Sequence, residues 1–329
     1  MTIIKPAYYD RFTCLAGMCP DSCCQQWEVD IDEAAARSYL ALPGALGDRL
    51  RQVIIAEDGA YRMRIEDSRC PMWQQDGLCR IQAELGHDAL CQTCRDFPRL
   101  RHDYGDFVEL GLELSCPEAA RQILTDSTGA MVTQDVPGGE APEYDTEAMA
   151  ILRRSRDTFL TFLDSTALPL PQILTAFLIY AHSVQAEIDG GPEAKLIPNI
   201  QVDGVTPCAD FAPLLAFFAS LEILTPQWDT RLQTTGAPVQ WTPAHKALLC
   251  YFVQRYWLQA VSDYDILCRA KFAVAACLLI GCLGGNLTET AQLFSKEIEN
   301  DPDNVEAIFD GAYTAPSFTD LYLLSLLTE

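Results

Sequence analysis

Basic side chains are scarce in this sequence. Among 329 residues, 23 Lys and Arg face 46 Asp and Glu, giving a formal charge of -23 and a pI of about 4.4. That balance disfavours counterion-driven binding to nucleic acid or to an anionic membrane, while a cationic partner such as a lysine-bearing protein is tolerated. Solubility alone is the simpler reading of the acidity, because net charge speaks to association and not to fold. Residues 1–10 lack the basic start and apolar stretch of a secretory leader, so a cytoplasmic location is expected. Long apolar runs are missing as well. The most apolar one, 272–283, is too short to span a bilayer and follows Arg269 and Lys271, so it reads as a buried core helix with no membrane insertion. Histidine is rare, and His87, His102, His182 and His245 show no ligand spacing; only His102, among Arg99, Arg101 and Asp103, merits a check. No fixed-period repeat or low-complexity tract is present.

Apolar residues and cysteines are plentiful. At 49% hydrophobic content the chain can bury a full core, in one large domain or two intimate ones. Nine of the 14 cysteines precede residue 120: Cys14, Cys19, Cys23, Cys24, Cys70, Cys79, Cys91, Cys94 and Cys116. In a reducing compartment such clustering points to metal or redox chemistry and away from structural disulfides. Cys208, Cys250, Cys268, Cys277 and Cys282 read instead as small buried hydrophobes on apolar helices.

The expected fold is mainly α, with a small irregular α+β cysteine-rich N-terminal module and a helical bundle-like C-terminal half. Residues 1–130 form the cysteine-rich metal-binding module, 131–145 a linker or loop around the Pro, Gly and acid-rich 135–143, and 146–329 a helical domain packed on the module. Ile151, Leu152, Phe159, Leu160, Phe162 and Leu163 make one buried helical stripe. Further helices are predicted over 171–188, 211–224, 244–261, 263–283 and 288–299, with start signals at Thr242-Pro243 and at Asn286 with Glu289. Val108, Leu110, Leu112 and Leu114 alternate with polar or small residues as in a strand that leads into Cys116. Ser115 and Glu118 have capping-box spacing around Pro117, which places Cys116 at a helix N-terminus where the dipole favours a thiolate.

The cysteine order is Cys14-x4-Cys19-x3-Cys23-Cys24, Cys70-x8-Cys79, Cys91-x2-Cys94 and Cys116. Thiolates in such number select zinc or an iron-sulfur cluster, each of which takes a shell of four. Eight or nine thiols exceed one shell, so either two sites exist or spare thiols surround one cluster. Only Cys91-Cys94 and, loosely, Cys19-Cys23 have the spacing of a zinc knuckle, and the irregularity leans towards iron-sulfur. Arg95, Arg99 and Arg121 flank Cys94 and Cys116 and are the candidate cofactor-binding cations, since arginine near thiolates offsets charge and donates to sulfur. Surface salt bridges are an equal alternative for them, and Trp27 reads as a lid over the site.

The segments FTCLAGMCPDSCCQQWEVDID (12–32), CPMWQQDGLCRIQAELGHDALCQTCRDFPR (70–99) and ELGLELSCPEAAR (109–121) resemble the flagellin lysine-N-methylase family and, more distantly, the YkgJ-type zinc- or iron-chelating domain. Residues 251–274 also suit the family, less specifically. The resemblance implies methyl transfer from S-adenosylmethionine to lysine ε-amines of flagellin, with an iron-sulfur cluster, 4Fe-4S in type, or zinc as the alternative. Cys14, Cys19, Cys23, Cys24, Cys70, Cys79, Cys94 and Cys116 match the motif positions, and Cys91 is an extra. A conventional Rossmann-type methyltransferase is unsupported because no G-x-G-x-x-G opens a βαβ unit, and the C-x3-C-x2-C triad of radical enzymes is absent too.

Lysine methylation needs a neutral amine, whose free pKa is about 10.4, so a base or desolvation must remove its proton. Tyr104, Glu109 and Glu118, close in sequence to Cys116, are the catalytic candidates, against a simpler surface or capping role for each. Two other classes compete: a non-catalytic zinc or iron protein whose helical half recruits a partner, and a redox protein using the cluster alone.

Overall fold

In the computed structural model, which describes residues 1–27, 29–57, 59–125 and 129–328, the apolar run near residue 272 extends into the helix Ile266–Leu283. Lacking a polar stripe, this helix is buried on every side except at Gly281 and Leu283. It is the one helix among the described residues long and apolar enough to cross a bilayer, and it forms the centre of the helical half. Leu170–Ile188, Pro243–Tyr256 and Pro302–Thr314 pack around it, joined by Phe252, Phe272 and Phe294 in edge-on and stacked contacts. Gly281 is needed for close approach, since a Cβ there would come within 2.4 Å of the Val239 side chain.

The predicted helices form with shifted ends. The 211–224 prediction shrinks to Ala212–Ala219, and 244–261 becomes Pro243–Tyr256 followed by the 3-10 turn Trp257–Val261. The 288–299 prediction becomes Leu287–Phe294 running into the π turn Ser295–Glu299. Thr242 caps its helix through a capping box completed by His245, and the Asn286 side chain accepts from Thr288 and Glu289 N–H. Cys208 lies in the loop before Ala212–Ala219 and not on a helix. The helices Glu33–Ala41, Gly44–Val53 and Asp320–Leu327 have no counterpart in the sequence reading.

Two small sheets serve the first 135 residues. The strands are β1 (Thr2–Pro6), β2 (Val29–Ile31), β3 (Ile54–Glu57), β4 (Ala60–Met63), β5 (Arg99–Asp103), β6 (Phe107–Leu112) and β7 (Met131–Asp135). One sheet has the order β5-β6-β1-β7, with β1 parallel to β6 and antiparallel to β7, and the other the order β2-β4-β3. β7 corrects the expected 131–145 linker: residues 131–135 pair in register with β1, and the irregular stretch begins after them.

The described residues form two hydrophobic cores, and they do not divide at residue 130. The large one takes in Ile4, Phe107, Leu112, Leu114, Ile123 and Leu124 together with the helical half, so β1, β6 and the helix Pro117–Thr125 belong to it. The small one is confined to residues 24–94, around Val29, Tyr39, Leu50, Met63, Met72 and Ile81. A buried bidentate ion pair fastens sheet to helices: Arg156, on the helix Thr146–Ser165, donates to Glu109 of β6 at 2.5 and 2.9 Å.

Candidate metal centre

Backbone pairing between distant loops assembles the cysteine site. Cys70 N–H donates to the Cys24 carbonyl at 2.8 Å, Gln26 N–H donates to the Ser68 carbonyl at 2.9 Å, and Trp73 bridges to Cys79. Cys79 and Cys91 stand at the N-cap positions of the short helices Arg80–Leu85 and Gln92–Asp96. At the rim, a Cβ on Gly17 would meet the Asp76 carbonyl at 2.8 Å, and Gly77 turns with φ +80° against Gly17, so two glycines let the first cysteine loop touch the second.

Asp32 joins two helices of this lobe. One carboxylate oxygen accepts from Ala35 N–H at 3.0 Å and the other from Gln92 N–H at 2.8 Å. These backbone bonds, from Gln92 first and Ala35 second, hold the Asp32 carboxyl below the ordinary value of 3.8. A depressed carboxylate stabilises the fold above its unfolded pKa and loses that contribution as pH falls through the folded one. Asp32→Ala is therefore expected to lower stability at neutral pH by roughly 1 kcal/mol, with the gap between urea midpoints of variant and parent narrowing as pH falls below the ordinary carboxylate range.

Seven cysteines line one cavity of about 350 Å³: Cys14, Cys19, Cys23, Cys24, Cys79, Cys94 and Cys116. Cys70 and Cys91, buried in the small core, stand behind that wall. Of the eight motif cysteines Cys70 alone does not line the cavity; its thiol meets that of Cys24, as the Cys91 thiol meets that of Cys94. Accepting from Cys23 and Cys70 lowers the Cys24 thiol, while those two donors are pushed up. Cys91 is likewise lowered by Cys94. Cys116 precedes Pro117 and accepts from the Ala119 and Glu118 N–H groups, but burial outweighs them and pushes its thiol up to about 11. The helix start thus does not by itself make Cys116 a thiolate.

The capping box expected there does not form. Ser115 Oγ donates to Glu113 Oε1 at 2.7 Å, and Glu118 accepts from Arg121 at 2.6 and 2.8 Å and from Gln122 at 2.8 Å. Glu118 lines the cavity, with its carboxyl held low by Arg121, and Arg121 is thereby turned to Glu118. Arg99 also lines the cavity, with its guanidinium 5.1 Å from the Phe12 ring centroid. Arg95 does not line it and lies 3.8 Å from Asp96. Tyr104 and Glu109 stand apart from the thiols as well: Tyr104 stacks on Phe107 at 4.7 Å, and Glu109 is sequestered by Arg156. Nearness in sequence misled here, because β6 carries Glu109 into the large core before the chain turns at Leu114 towards Cys116.

Trp27 is a buttress and not a lid; its indole N–H donates to the Cys23 carbonyl at 2.7 Å and its ring meets Phe97 edge-on at 5.7 Å. His102 is half-buried on β5, away from the cavity, and burial lowers its pKa. Asp21, Gln292 and Lys296, unnoticed in the sequence, meet at the cavity wall. No sequence signal could have joined them, since Lys296 sits in a charged run that reads as helix surface.

Among the described residues, no group of three or more His, Cys, Asp and Glu is arranged to hold a single metal ion. The thiols ring a space instead. Seven thiols among the lining residues supply the soft donors that zinc or an iron-sulfur cluster takes.

A stretch of 133 residues is 33% identical to the flagellar biosynthetic protein FliU of Salmonella muenchen, covering 38% of this chain and 79% of that protein. Over the same length, identity is 33% to the lysine-N-methylase of Salmonella typhimurium and 32% to that of Salmonella choleraesuis. Those matches cover 38% of this chain but only 33% of each relative, so the likeness spans a third of their length. No family model and no solved structure matches the chain. With most of FliU matched at one residue in three, and two lysine-N-methylases matched at similar identity over a third of their length, the chain belongs to the flagellin lysine-N-methylase family.

Proposed function

We propose that the protein is a protein-lysine N-methyltransferase that uses S-adenosylmethionine, with flagellin lysines as substrate and an iron-sulfur cluster, 4Fe-4S in type, in the thiol-lined cavity. The observation that carries this reading is the convergence of seven thiols on one cavity in a chain related to lysine-N-methylases. Four of Cys14, Cys19, Cys23, Cys24, Cys79, Cys94 and Cys116 would hold the cluster, which supplies a redox-active, Lewis-acidic iron centre when bound. Arg99 offers a cation to that anionic centre from the cavity wall.

The remaining steps belong to the protein's own side chains. The acidic surface, at -23 overall, draws a lysine-bearing partner towards the molecule. Phe12, Leu15, Leu90 and Phe97 give the cavity an apolar wall, and desolvation there favours the neutral amine that methylation requires. Glu118, held low by Arg121, is a weak base and serves to attract the ammonium more than to take its proton. Tyr104 and Glu109 are too well sequestered to relay it.

The test is direct. Protein purified anaerobically should contain iron and acid-labile sulfide, and with labelled S-adenosylmethionine and flagellin it should form methyl-lysine. A cluster-loaded protein that transfers no label would defeat the methyltransferase reading.

A further inference from the structure

Asp21 lies between Cys19 and Cys23 and lines the cavity. Its carboxylate is met by two groups from the far end of the chain. Lys296 Nζ stands 2.9 Å from each oxygen, and Gln292 Nε2 donates to Oδ2 at 2.8 Å while also donating to the Ser115 carbonyl, beside Cys116, at 2.7 Å. The Trp27 ring centroid, 5.1 Å from Nζ, closes the other side, and its indole N–H holds the Cys23 carbonyl.

Lys296 is 2% exposed. It sits in the π turn Ser295–Glu299, a conformation that is rare and concentrated at functional sites. The acidic neighbours in that turn are engaged elsewhere: Glu297 with Thr225 and Leu224 N–H, and Glu299 with Tyr251, Tyr256 and Arg255. Fold stability alone is a weak reason to bury such a pair, because well-packed apolar side chains commonly do as well.

We propose that Lys296 is a positioning residue for the metal centre: it pins Asp21 of the Cys19–Cys23 loop, which Gln292 ties to Ser115 beside Cys116, and its charge offsets Asp21 beside the thiolates. This rests on the reading that the cavity holds an iron-sulfur cluster. Each thiolate ligand adds negative charge, and Asp21 would add more at the same wall. Lys296 is a buried cation there, with its ammonium 2.9 Å from both oxygens of a carboxylate that lines the cavity.

Charge balance gives the test a sign. Lys296→Met leaves the Asp21 carboxylate uncompensated beside the cluster and should make the midpoint potential more negative. Asp21→Asn keeps the shape but leaves the ammonium uncompensated, and should make it more positive. The double variant should return near the parent value. The measurement is a redox titration of the full chain, purified anaerobically, followed by visible absorption or electron paramagnetic resonance, with iron and sulfide determined per chain.

A merely structural pair would instead give two variants that lose cluster together without opposed shifts, and that result would overturn the inference. Should Lys296→Met load poorly, Asp21→Asn decides alone: a positive shift supports the proposal, and an unchanged or negative one overturns it. Lys296→Arg should retain loading. A parent chain without iron or sulfide would sink the cluster reading itself, whereas a loaded parent whose potential ignores both residues would sink only the role of Lys296.

Discussion

Cys24→Ser, Cys79→Ser and Cys116→Ser, made singly, are each expected to lower cluster content and methyl transfer by at least about 100-fold, because partners one layer further out already cost about 10–100-fold at metal sites. Serine keeps the volume and removes the soft donor, so the loss reports ligation and not packing. Cys70→Ser should behave differently. Its thiol touches Cys24 and not the cavity, so the expected loss is nearer 10-fold and accompanied by some weakening of the small core. Cys277→Ala, deep in the central helix, should leave iron and sulfide unchanged and act only on stability. Iron and sulfide per folded chain, read beside turnover, separate the three behaviours. Equal loss from Cys70→Ser and Cys24→Ser would mean that the wall between cavity and small core is wrongly drawn.

Arg156→Met is expected to destabilise the protein by about 3–5 kcal/mol, the usual result of stripping one partner from a buried ion pair. The guanidinium is 4% exposed and Glu109 5%, so the abandoned carboxylate has no route to water. Removing both charges, as Arg156→Met with Glu109→Leu, should recover most of the loss, since an apolar pair of similar volume tolerates burial. Urea denaturation measures both variants. Cluster content per folded molecule should stay at the parent level in the double variant, which would mark Glu109 as scaffold. A double variant that folds yet loses methyl transfer would return Glu109 to the chemistry.

Patterns of short range were legible in the sequence. The alternation at Val108–Leu114 announced β6, the Thr242-Pro243 pair announced the start of Pro243–Tyr256, and the cysteine spacing announced a thiol-lined site. What depended on long-range partners was not. Residues 131–135 carry no strong strand signal and become β7 because β1, over 120 residues earlier, offers an edge. Cys70 and Cys79 look equivalent in sequence, yet the fold puts one behind the wall and the other in it. Lys296 reaches Asp21 across 275 residues, and its neighbours gave no hint that a charged run would be buried. Glu109 shows the converse error, with closeness along the chain taken for closeness in space.

The small lobe leaves the main body after Trp27 and returns at Phe97, and those two rings touch edge-on. A segment whose two ends meet behaves as an insertion that can breathe as one unit while the rest of the molecule stays closed. Amide hydrogens across residues 29–94 should then exchange with deuterated solvent as a block, faster than those of Ile266–Leu283. Of the seven cavity cysteines, Cys24, Cys79 and Cys94 pack against the core of the lobe, whereas Cys116 belongs to the large core. A cluster bound as proposed would straddle that seam and act as a latch, so the block should exchange faster in cluster-free protein than in loaded protein.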